Sequence, residues 1–306
     1  MATESLILGT RQSKLAMIQA ELVKACLQQA FPDLEIHIHG MTTQGDESLH
    51  LDFAQLDKGM FTKTIETALL NGDIDVAVHS LKDLPTKLPN GLQLRAVLPR
   101  EDSRDVFVSN EAGRLNELPP GTRIGTGSPR RRAQVLAYRN DLDVIPIRGN
   151  VDTRLTRLDS DEYDALILAA AGLKRLGLEH RITSYLEFDV MMPPPGQGAI
   201  GLEIRQNDQR IETFLDKINH TDTWYEVMAE RSFLKTLGGG CHIPIASQAV
   251  CQLNQLNISG LVSNPDGQQM IRLQRSGSVA DAELLGQQLA NELLKKGAEA
   301  LLNEQH

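Results

Sequence analysis

The order of apolar and polar positions predicts alternating strands and helices over the first third of the chain. Residues 5–10, SLILGT, form an apolar run typical of a buried strand. The next segment predicts a helix, ending before Pro32, whose buried face carries Leu15, Ile18, Leu22 and Cys26. A strand in EIHIHGM, a helix in TKTIETALLNG and a strand in DIDVAVHS follow. This order is typical of βαβ units, whose mostly parallel sheets bind ligands at the carboxyl ends of strands.

A second alternation begins near Asp105, and a different pattern begins near His220. The second cycle predicts strands in DVFVSN, TRIGTGS, DVIPIRGN and DALILAAAG, with helices between them. The last part predicts a long helix, three strands joined by turns, and a closing helix from about Asp281. The closing helix should face its core with Leu284, Leu285, Leu289, Leu293 and Leu294. We therefore expect a small antiparallel sheet covered by helices in this part.

Composition and length fit an ordered protein of two or three domains. The chain has 306 residues, of which 41% are hydrophobic and 23% charged. No run of eighteen apolar residues predicts a membrane span, and the first residues do not resemble an export signal. The 3 cysteines form no CxxC pair, so neither a zinc site nor a disulfide framework is expected. These features favour a cytoplasmic protein without a metal.

Charge is unevenly distributed along the chain. The formal net charge of -9 argues against general nucleic-acid binding, which needs Lys and Arg to neutralise phosphates. Between Arg123 and Arg157, however, eight arginines stand against three aspartates. This segment predicts a local site for a small anionic ligand.

Three segments at predicted strand ends carry candidate chemistry. Asp83 and Lys82 follow the strand DIDVAVHS, where Asp83 either caps a turn before Pro85 or serves as a catalytic carboxylate. In GTGSPRRRAQ, a turn with Ser128 opens a helix; its arginines either bind an anion or form a solvated basic turn. In IRGNVDTRLTRL, the apolar positions face the core and leave Arg148, Arg154 and Arg157 outside it. Guanidinium groups at neighbouring strand ends suit a ligand with several carboxylates.

Cys241 lies in an unusual loop, LGGGCHIPIAS. The flanking glycines leave room for close approach to the sulfur, which suits a nucleophile or an attachment point, although an incidental cysteine in a glycine turn is equally compatible. Cys26 and Cys251 lie at positions typical of core residues.

As a set, eight motifs resemble the porphobilinogen deaminase, or hydroxymethylbilane synthase, family over essentially the whole chain. They are RQSKLA, VHSLKDLPT, REDSRDVFVS, GTGSPRRRAQ, IRGNVDTRL, DALILAAAGLKRLGL, PPPGQGAI and GGGCHIPIAS. The resemblance implies a transferase that joins four porphobilinogen molecules head to tail, releasing ammonia, into hydroxymethylbilane. It also implies a dipyrromethane cofactor, held by a thioether to Cys241, on which the oligopyrrole chain grows.

The same resemblance assigns roles to residues of this chain. Asp83 is the expected catalytic residue, stabilising the positive charge left when ammonia departs and assisting proton transfer. Besides Asp83, the expected cofactor-binding residues are Ser13, Lys82, Thr126, Ser128, Arg130, Arg131 and Arg154. The expected substrate-binding residues are Arg11, Gln19, Arg148, Arg175 and Gln197. The family further implies a cytoplasmic monomer of porphyrin and heme biosynthesis that passes its product to uroporphyrinogen-III synthase.

The fold implied by the resemblance is α/β. It has two periplasmic-binding-protein-like domains with mostly parallel sheets and a C-terminal α/β domain with a small antiparallel sheet. The expected boundaries are 1–98 with 199–216, then 104–192, then 221–306. Two departures from the family pattern concern LDKGMFTK, which places Lys58 differently, and the pair Gly127 and Pro129 in GTGSPRRR. A contact to the cofactor is lost if a serine hydroxyl is needed at Gly127, and Pro129 should stiffen the helix start.

Two other classes remain open from the residues alone. A solute-binding protein of the same two-domain architecture would need an export signal and would not need Cys241. A cysteine-dependent hydrolase or transferase would need a histidine beside the thiol.

Overall fold

The chain forms two compact units. The computed structural model describes residues 4–43, 62–111, 113–238 and 243–303. The first unit contains Met1–Glu101 and Ala199–Trp224, and the second contains Asp102–Gly198 and Tyr225–His306. The predicted division into three domains stays a prediction.

The first unit is built on a five-stranded sheet among its described residues, in the order β2-β1-β3-β10-β4. Strand β10 is antiparallel to both of its neighbours, while β1 is parallel to β2 and β3. The sheet is therefore mostly parallel, with one later strand inserted into it. Its strands are β1 (Ser5–Arg11), β2 (Glu35–Met41), β3 (Val76–Ser80), β4 (Leu92–Val97) and β10 (Ile200–Arg205). Its helices are α1 (Lys14–Ala30), α2 (Lys63–Asn71) and α6 (Gln209–Asp216).

The buried face of α1 differs from the predicted one. The helix buries Ala16, Gln19, Ala20, Val23 and Leu27. Of the predicted face, Leu22 is 42% exposed, and Cys26 is only partly buried at the edge of the core. The buried stripe is shifted by one position because it contains two small alanines and a glutamine that bonds inside the unit. A search for large apolar residues at helical spacing misses such a stripe.

The second unit contains a further five-stranded sheet, in the order β7-β6-β8-β5-β9. Strand β6 is parallel to β7 and β8, whereas β5 is antiparallel to β8 and β9. Its strands are β5 (Asp105–Ser109), β6 (Arg123–Gly125), β7 (Asp143–Ile145), β8 (Ala165–Ala169) and β9 (Ser184–Leu186). Its helices are α3 (Pro129–Tyr138), α4 (Val151–Asp159) and α5 (Ala170–Arg175). Leu155 and Leu158 of α4 are buried with Val151 packed against the same core, as predicted.

A three-stranded antiparallel sheet, β11-β12-β13, completes the second unit. It comprises β11 (Ile245–Gln252), β12 (Gln255–Ser263) and β13 (Met270–Ser278), with α7 (Thr221–Thr236), α8 (Ala282–Leu293) and α9 (Glu299–Asn303) in the same segment. On α8, Leu285, Leu289 and Leu293 are buried, and Leu294 beyond it packs on this core. Leu284, predicted to join them, is 48% exposed. It lies one position before the stripe repeated by the other leucines.

The predicted fold class is confirmed: the protein is α/β, and its described residues form two mostly parallel sheets and one small antiparallel sheet. Within the described ranges, none of the helices has both the length and the apolar character required to cross a membrane.

Candidate functional site

One candidate edge lies in the first unit, where β1 and β3 end side by side. Because these strands are parallel neighbours, the residues after their carboxyl ends share one edge of the sheet. Arg11 is the last residue of β1, and Ser13 caps α1 by accepting a hydrogen bond from the Ala16 N–H at 3.4 Å. Lys82 and Asp83 lie in a short 3-10 turn directly after β3. We call these residues the carboxylate edge.

Asp83 is the accessible acid of the carboxylate edge. Its side chain is exposed, whereas Leu81 and Leu84 on either side of the turn are buried and anchor it. Among the residues that the structure describes, none donates a hydrogen bond or an ion pair to the Asp83 carboxylate. This carboxylate is therefore available to a ligand, as a catalytic role requires.

Gln19, predicted to contact substrate, lies beneath this edge. It is 2% exposed, and its Nε2 lies 2.9 Å from the Ser80 hydroxyl at the end of β3. Its side chain thus ties α1 to the strand that carries Asp83. The structure places Gln19 as a support of the turn, and its predicted contact with substrate stays a prediction.

The second candidate edge lies in the second unit, where β6, β7 and β8 end together. Strand β6 leads through Thr126 and Ser128 into α3, whose first residue is Pro129. Ser128 caps this helix by accepting a hydrogen bond from the Arg131 N–H at 3.5 Å, and Thr126 Oγ1 accepts one from the Ser128 N–H at 3.2 Å. Proline suits the first helical position because its fixed φ is already helical and no donor is needed there. The proline that departs from the family pattern therefore fits this helix start.

Two arginines of α3 are buried on one aspartate at this edge. Asp105, the first residue of β5, is 0% exposed, and Arg130 and Arg131 are 4% and 6% exposed. Arg130 Nη2 donates to Asp105 Oδ2 at 2.7 Å, and Arg131 donates to Oδ1 through Nε at 3.1 Å and Nη2 at 2.7 Å. The backbone carbonyls of Met192 and Ile167 accept further bonds from the two guanidinium groups. We call this group the arginine cluster.

The charges of the arginine cluster are held in place by their neighbours. Burial alone would raise the pKa of Asp105, but Arg130, Arg131 and a hydrogen bond from Gln197 outweigh it and hold that pKa well below its usual range. Burial, partly offset by Asp105, lowers the pKa of Arg130 to about 10. Asp105 and Arg130 are thus both ionised at neutral pH.

The cluster carries more positive than negative charge. Two guanidinium cations meet one carboxylate, and Arg130 Nε is buried with no hydrogen-bond partner in the part of the chain that the structure describes. A buried donor without an acceptor and an unbalanced charge are both costly. A carboxylate brought by a ligand would supply the missing negative charge, so these residues fit a group that carries carboxylates.

The remaining predicted arginines lie around the same edge. Arg148 follows β7, and Arg154 of α4 donates from Nε to the Gly149 carbonyl at 2.8 Å. Arg175 ends α5, which follows β8, and its Nη2 donates to the Gly198 carbonyl at 2.6 Å. All three are partly exposed. Together with the arginine cluster they form what we call the basic edge.

Gln197 belongs to the support of the arginine cluster. It is 0% exposed, and its Nε2 donates to the Ser103 carbonyl at 2.8 Å and to Asp105 Oδ1 at 2.9 Å. Its predicted contact with substrate stays a prediction.

Several arginines of the basic segment form ion pairs at the protein surface. Arg123 pairs with Asp164, Arg139 with Asp141 and Arg157 with Glu162, each at 2.7 Å. Two of these acids lie outside the segment in which the charges were counted. The excess of positive charge is therefore smaller than the sequence suggests, and it is concentrated at the basic edge.

Some predicted residues fall outside the described ranges. Cys241 and Lys58 are among them. Within the ranges that are described, no group of three or more His, Cys, Asp or Glu side chains is arranged to hold a metal ion.

The main residue that sequence reasoning missed is Asp105. The only signal is its position directly before the apolar run VFV, an unfavourable place for a solvated charge. A single sequence does not reveal that α3 supplies the two arginines which compensate that charge.

The fold and the two edges describe an α/β protein whose buried arginines fit a small, carboxylate-rich molecule and whose Asp83 is an accessible acid. The chain belongs to the porphobilinogen deaminase family. The family model described as "Porphobilinogen deaminase, dipyromethane cofactor binding domain" matches residues 6–213, and that for the C-terminal domain matches residues 224–295.

Family membership sets the activity and the cofactor. The protein is a hydroxymethylbilane synthase: it polymerises porphobilinogen into hydroxymethylbilane using a dipyrromethane cofactor. The carboxylate-rich ligands inferred from the basic edge agree with this chemistry, since every pyrrole unit bears an acetate and a propionate. The solute-binding and cysteine-hydrolase alternatives are set aside by the family match.

Similar solved structures include periplasmic solute-binding domains. The periplasmic VFT2 domain of BvgS from Bordetella pertussis is 14% identical, with 70% of this chain and 86% of that chain covered and a TM-score of 0.43. A TRAP periplasmic solute-binding protein from Desulfovibrio salexigens is 11% identical over 71% of this chain and 73% of that chain, with a TM-score of 0.44.

Proposed function

We propose that the carboxylate edge performs the chemistry of this synthase and that the basic edge holds the carboxylates of its cofactor and product. The observation that carries this proposal is the excess positive charge of the arginine cluster, with its buried Arg130 Nε lacking an acceptor. When bound, the dipyrromethane supplies the pyrrole carbon to which the first porphobilinogen is joined. The chain's own residues bind, orient and neutralise charge around it.

Arg130 and Arg131 would hold a carboxylate of the cofactor through the donors that Asp105 and the backbone leave unused. Each guanidinium has five N–H donors, and the contacts of Arg131 with Asp105 and Ile167 use three of them. Arg154, Thr126 and Ser128, on the same edge, would complete this side. Ser13 and Lys82 would contribute from the carboxylate edge.

Asp83 would act as the catalytic residue. Its carboxylate would accept hydrogen bonds from pyrrole N–H groups and stabilise the positive charge that develops on the incoming porphobilinogen as ammonia leaves. It would also receive or return the proton at the attacked pyrrole carbon. The exposed, unpaired position of Asp83 supports this assignment.

Arg11, Arg148 and Arg175, with Gln19 and Gln197, would serve the incoming substrate and the lengthening chain. Arginine suits this task because its planar fork binds a carboxylate through two parallel hydrogen bonds. The partly exposed state of the three arginines supports the assignment. The contacts of the two glutamines indicate that they act by supporting Ser80 and Asp105.

Cys241 would hold the cofactor through a thioether, leaving the free end of the chain as the site of growth. The test is the intact mass of the purified, denatured protein. We expect an adduct of two linked pyrrole units on the wild type and none on Cys241→Ser. A fully active wild-type chain without an adduct would refute the attachment.

The role of Asp83 is tested by substitution. Asp83→Ala should abolish turnover, and Asp83→Glu should keep a trace, because the carboxylate is retained but displaced by one methylene. Near-normal turnover in Asp83→Ala would refute the assignment.

The protein would work as a cytoplasmic monomer and pass its product to uroporphyrinogen-III synthase. Sedimentation would test the monomer, and coupled assays would test the transfer of the product.

A further inference from the structure

A buried carboxylate of α7 joins two separate backbone segments of the second unit. Glu230 is 0% exposed. Its Oε1 accepts a hydrogen bond from the Ala249 N–H in β11, and its Oε2 accepts one from the Gly196 N–H, both at 2.7 Å. One side chain therefore fixes the helix to the edge of the small sheet and to residues 192–197.

Residues 192–197 are in turn attached to the arginine cluster. The Met192 carbonyl accepts from Arg130 Nη1 at 2.6 Å, and the Met192 N–H donates to Gln134 Oε1 at 2.8 Å. Gln197, directly after Gly196, donates to Asp105 at 2.9 Å. The segment between the two is thus held at both ends by groups that fix the two buried arginines.

The same segment also contacts the edge of β11. The Pro193 carbonyl accepts from the Ser247 N–H at 2.9 Å. Farther along that strand, the Cys251 N–H donates to Glu226 Oε1 at 3.0 Å. Glu226 and Glu230 lie one turn apart on α7 and both hold the strand edge, but Glu230 is the one of this pair that also bonds residue 196. This difference provides a matched comparison.

We propose that Glu230 is a positioning residue for cofactor loading. By holding the Gly196 N–H, it fixes Gln197 on Asp105 and the Met192 carbonyl on Arg130, and so sets the geometry in which the arginine cluster receives a carboxylate. The proposal rests on the proposed role of the arginine cluster in holding the cofactor. Glu230 itself acts through backbone and does not touch the ligand.

The chemistry of a carboxylate explains why glutamate is needed at this position. Each carboxylate oxygen of Glu230 accepts a hydrogen bond from a backbone N–H. A glutamine offers one acceptor and one donor, so one buried N–H would face another donor and lose its partner. The cost of an unsatisfied buried donor corresponds to about a tenfold change in an equilibrium.

The experiment compares Glu230→Gln with Glu226→Gln. Each variant is produced in a host unable to make porphobilinogen and is then supplied with porphobilinogen, and the adduct is followed by denatured intact mass. The proteins are compared at equal folded fraction, which is measured by circular dichroism. We expect Glu226→Gln to load like the wild type and Glu230→Gln to load about tenfold more slowly or less completely. Equal loading of the two variants at matched folded fraction would overturn the proposal.

A second measurement uses only the wild type and remains informative if Glu230→Gln does not fold. Hydrogen exchange of the peptide spanning residues 193–198 is compared between cofactor-free and loaded protein. Because coupling is reciprocal, a segment that favours loading must itself be stabilised by loading, so its exchange should slow. Unchanged exchange would overturn the role of Glu230. A wild-type chain that takes up no adduct at all would instead refute the proposed attachment at Cys241.

Discussion

Removing the single negative charge of the arginine cluster should destabilise the second unit strongly. Asp105→Asn keeps the shape of the side chain but leaves Arg130 and Arg131 as adjacent buried cations at 4% and 6% exposure. Removing one partner of a buried ion pair costs about 3–5 kcal/mol. With a typical urea slope of about 2 kcal/mol per molar, the unfolding midpoint of this unit should fall by about 2 M.

The assay should follow the second unit alone, because a chain with two compact units need not unfold in one step. Pulsed hydrogen exchange of the peptide containing β8, at increasing urea, gives a local midpoint. Asp164→Asn is the control. Its ion pair with Arg123 has the same 2.7 Å distance as the pair between Arg130 and Asp105, but both partners are 41% exposed. Exposed pairs are screened by water, so this control should change little.

The pH dependence gives the same prediction a second check. Because the pKa of Asp105 is held well below its usual range, its contribution is fully present above the ordinary aspartate pKa and is lost as pH falls through the depressed value. The midpoint difference between wild type and Asp105→Asn should therefore shrink in acid. A midpoint for Asp105→Asn equal to that of Asp164→Asn at neutral pH would refute the reasoning.

Three further perturbations test other parts of the protein. Burial raises the pKa of Glu66, and repulsion from Glu203 raises it further. The stability that protonated Glu66 contributes is therefore fully present below its ordinary pKa and is lost as pH rises through the raised value. Glu66→Gln should remove that loss, measured as urea midpoints of the first unit against pH. Arg148→Ala should slow elongation while the cofactor adduct stays intact by mass, and unchanged kinetics would remove Arg148 from the site. Gly267→Ala should lower the free energy of unfolding by more than about 1 kcal/mol, because the φ of Gly267 is 75° and an added methyl would collide with the Ala133 carbonyl. Gly121→Ala, at φ 78° with open space around it, isolates the collision from the backbone strain.

The sequence predicted many of the elements but not strands β4, β9 and β10, and it predicted the buried faces of helices less well. The strand and helix order of both cycles follows from periodicity, since most strands are short apolar runs closed by turn residues. The face of α1 was wrong by one position because Ala16, Gln19 and Ala20 pack closely against the sheet, while the larger Leu22 projects outward. Periodicity reports where large apolar residues recur, and it does not report which small or polar residues a neighbouring strand can accept.

Some residues of the candidate site could likewise be predicted from the sequence, and others could not. Strand ends placed Asp83, Ser128 and Arg148 at sheet edges from local pattern alone, because parallel neighbours end together. The role of Asp105 could not be assigned from sequence, because its buried charge is compensated by two arginines of α3 that lie far from it along the chain. Glu230 was likewise missed, because the N–H groups of Gly196 and Ala249 that it binds belong to the backbone and carry no sequence signal.

The number of arginines overstates the positive charge that the basic edge offers to a ligand, because part of that charge is already neutralised. Asp105 neutralises one of the two buried guanidinium groups, so the arginine cluster offers a single net positive charge from two cations. A cluster of this kind suits one carboxylate held in a fixed geometry. The other carboxylates of a lengthening oligopyrrole need cations that are less enclosed, and Arg148 and Arg175 are partly exposed on the same edge. We therefore expect buried arginines to fix the constant part of the ligand and exposed ones to follow the part that grows.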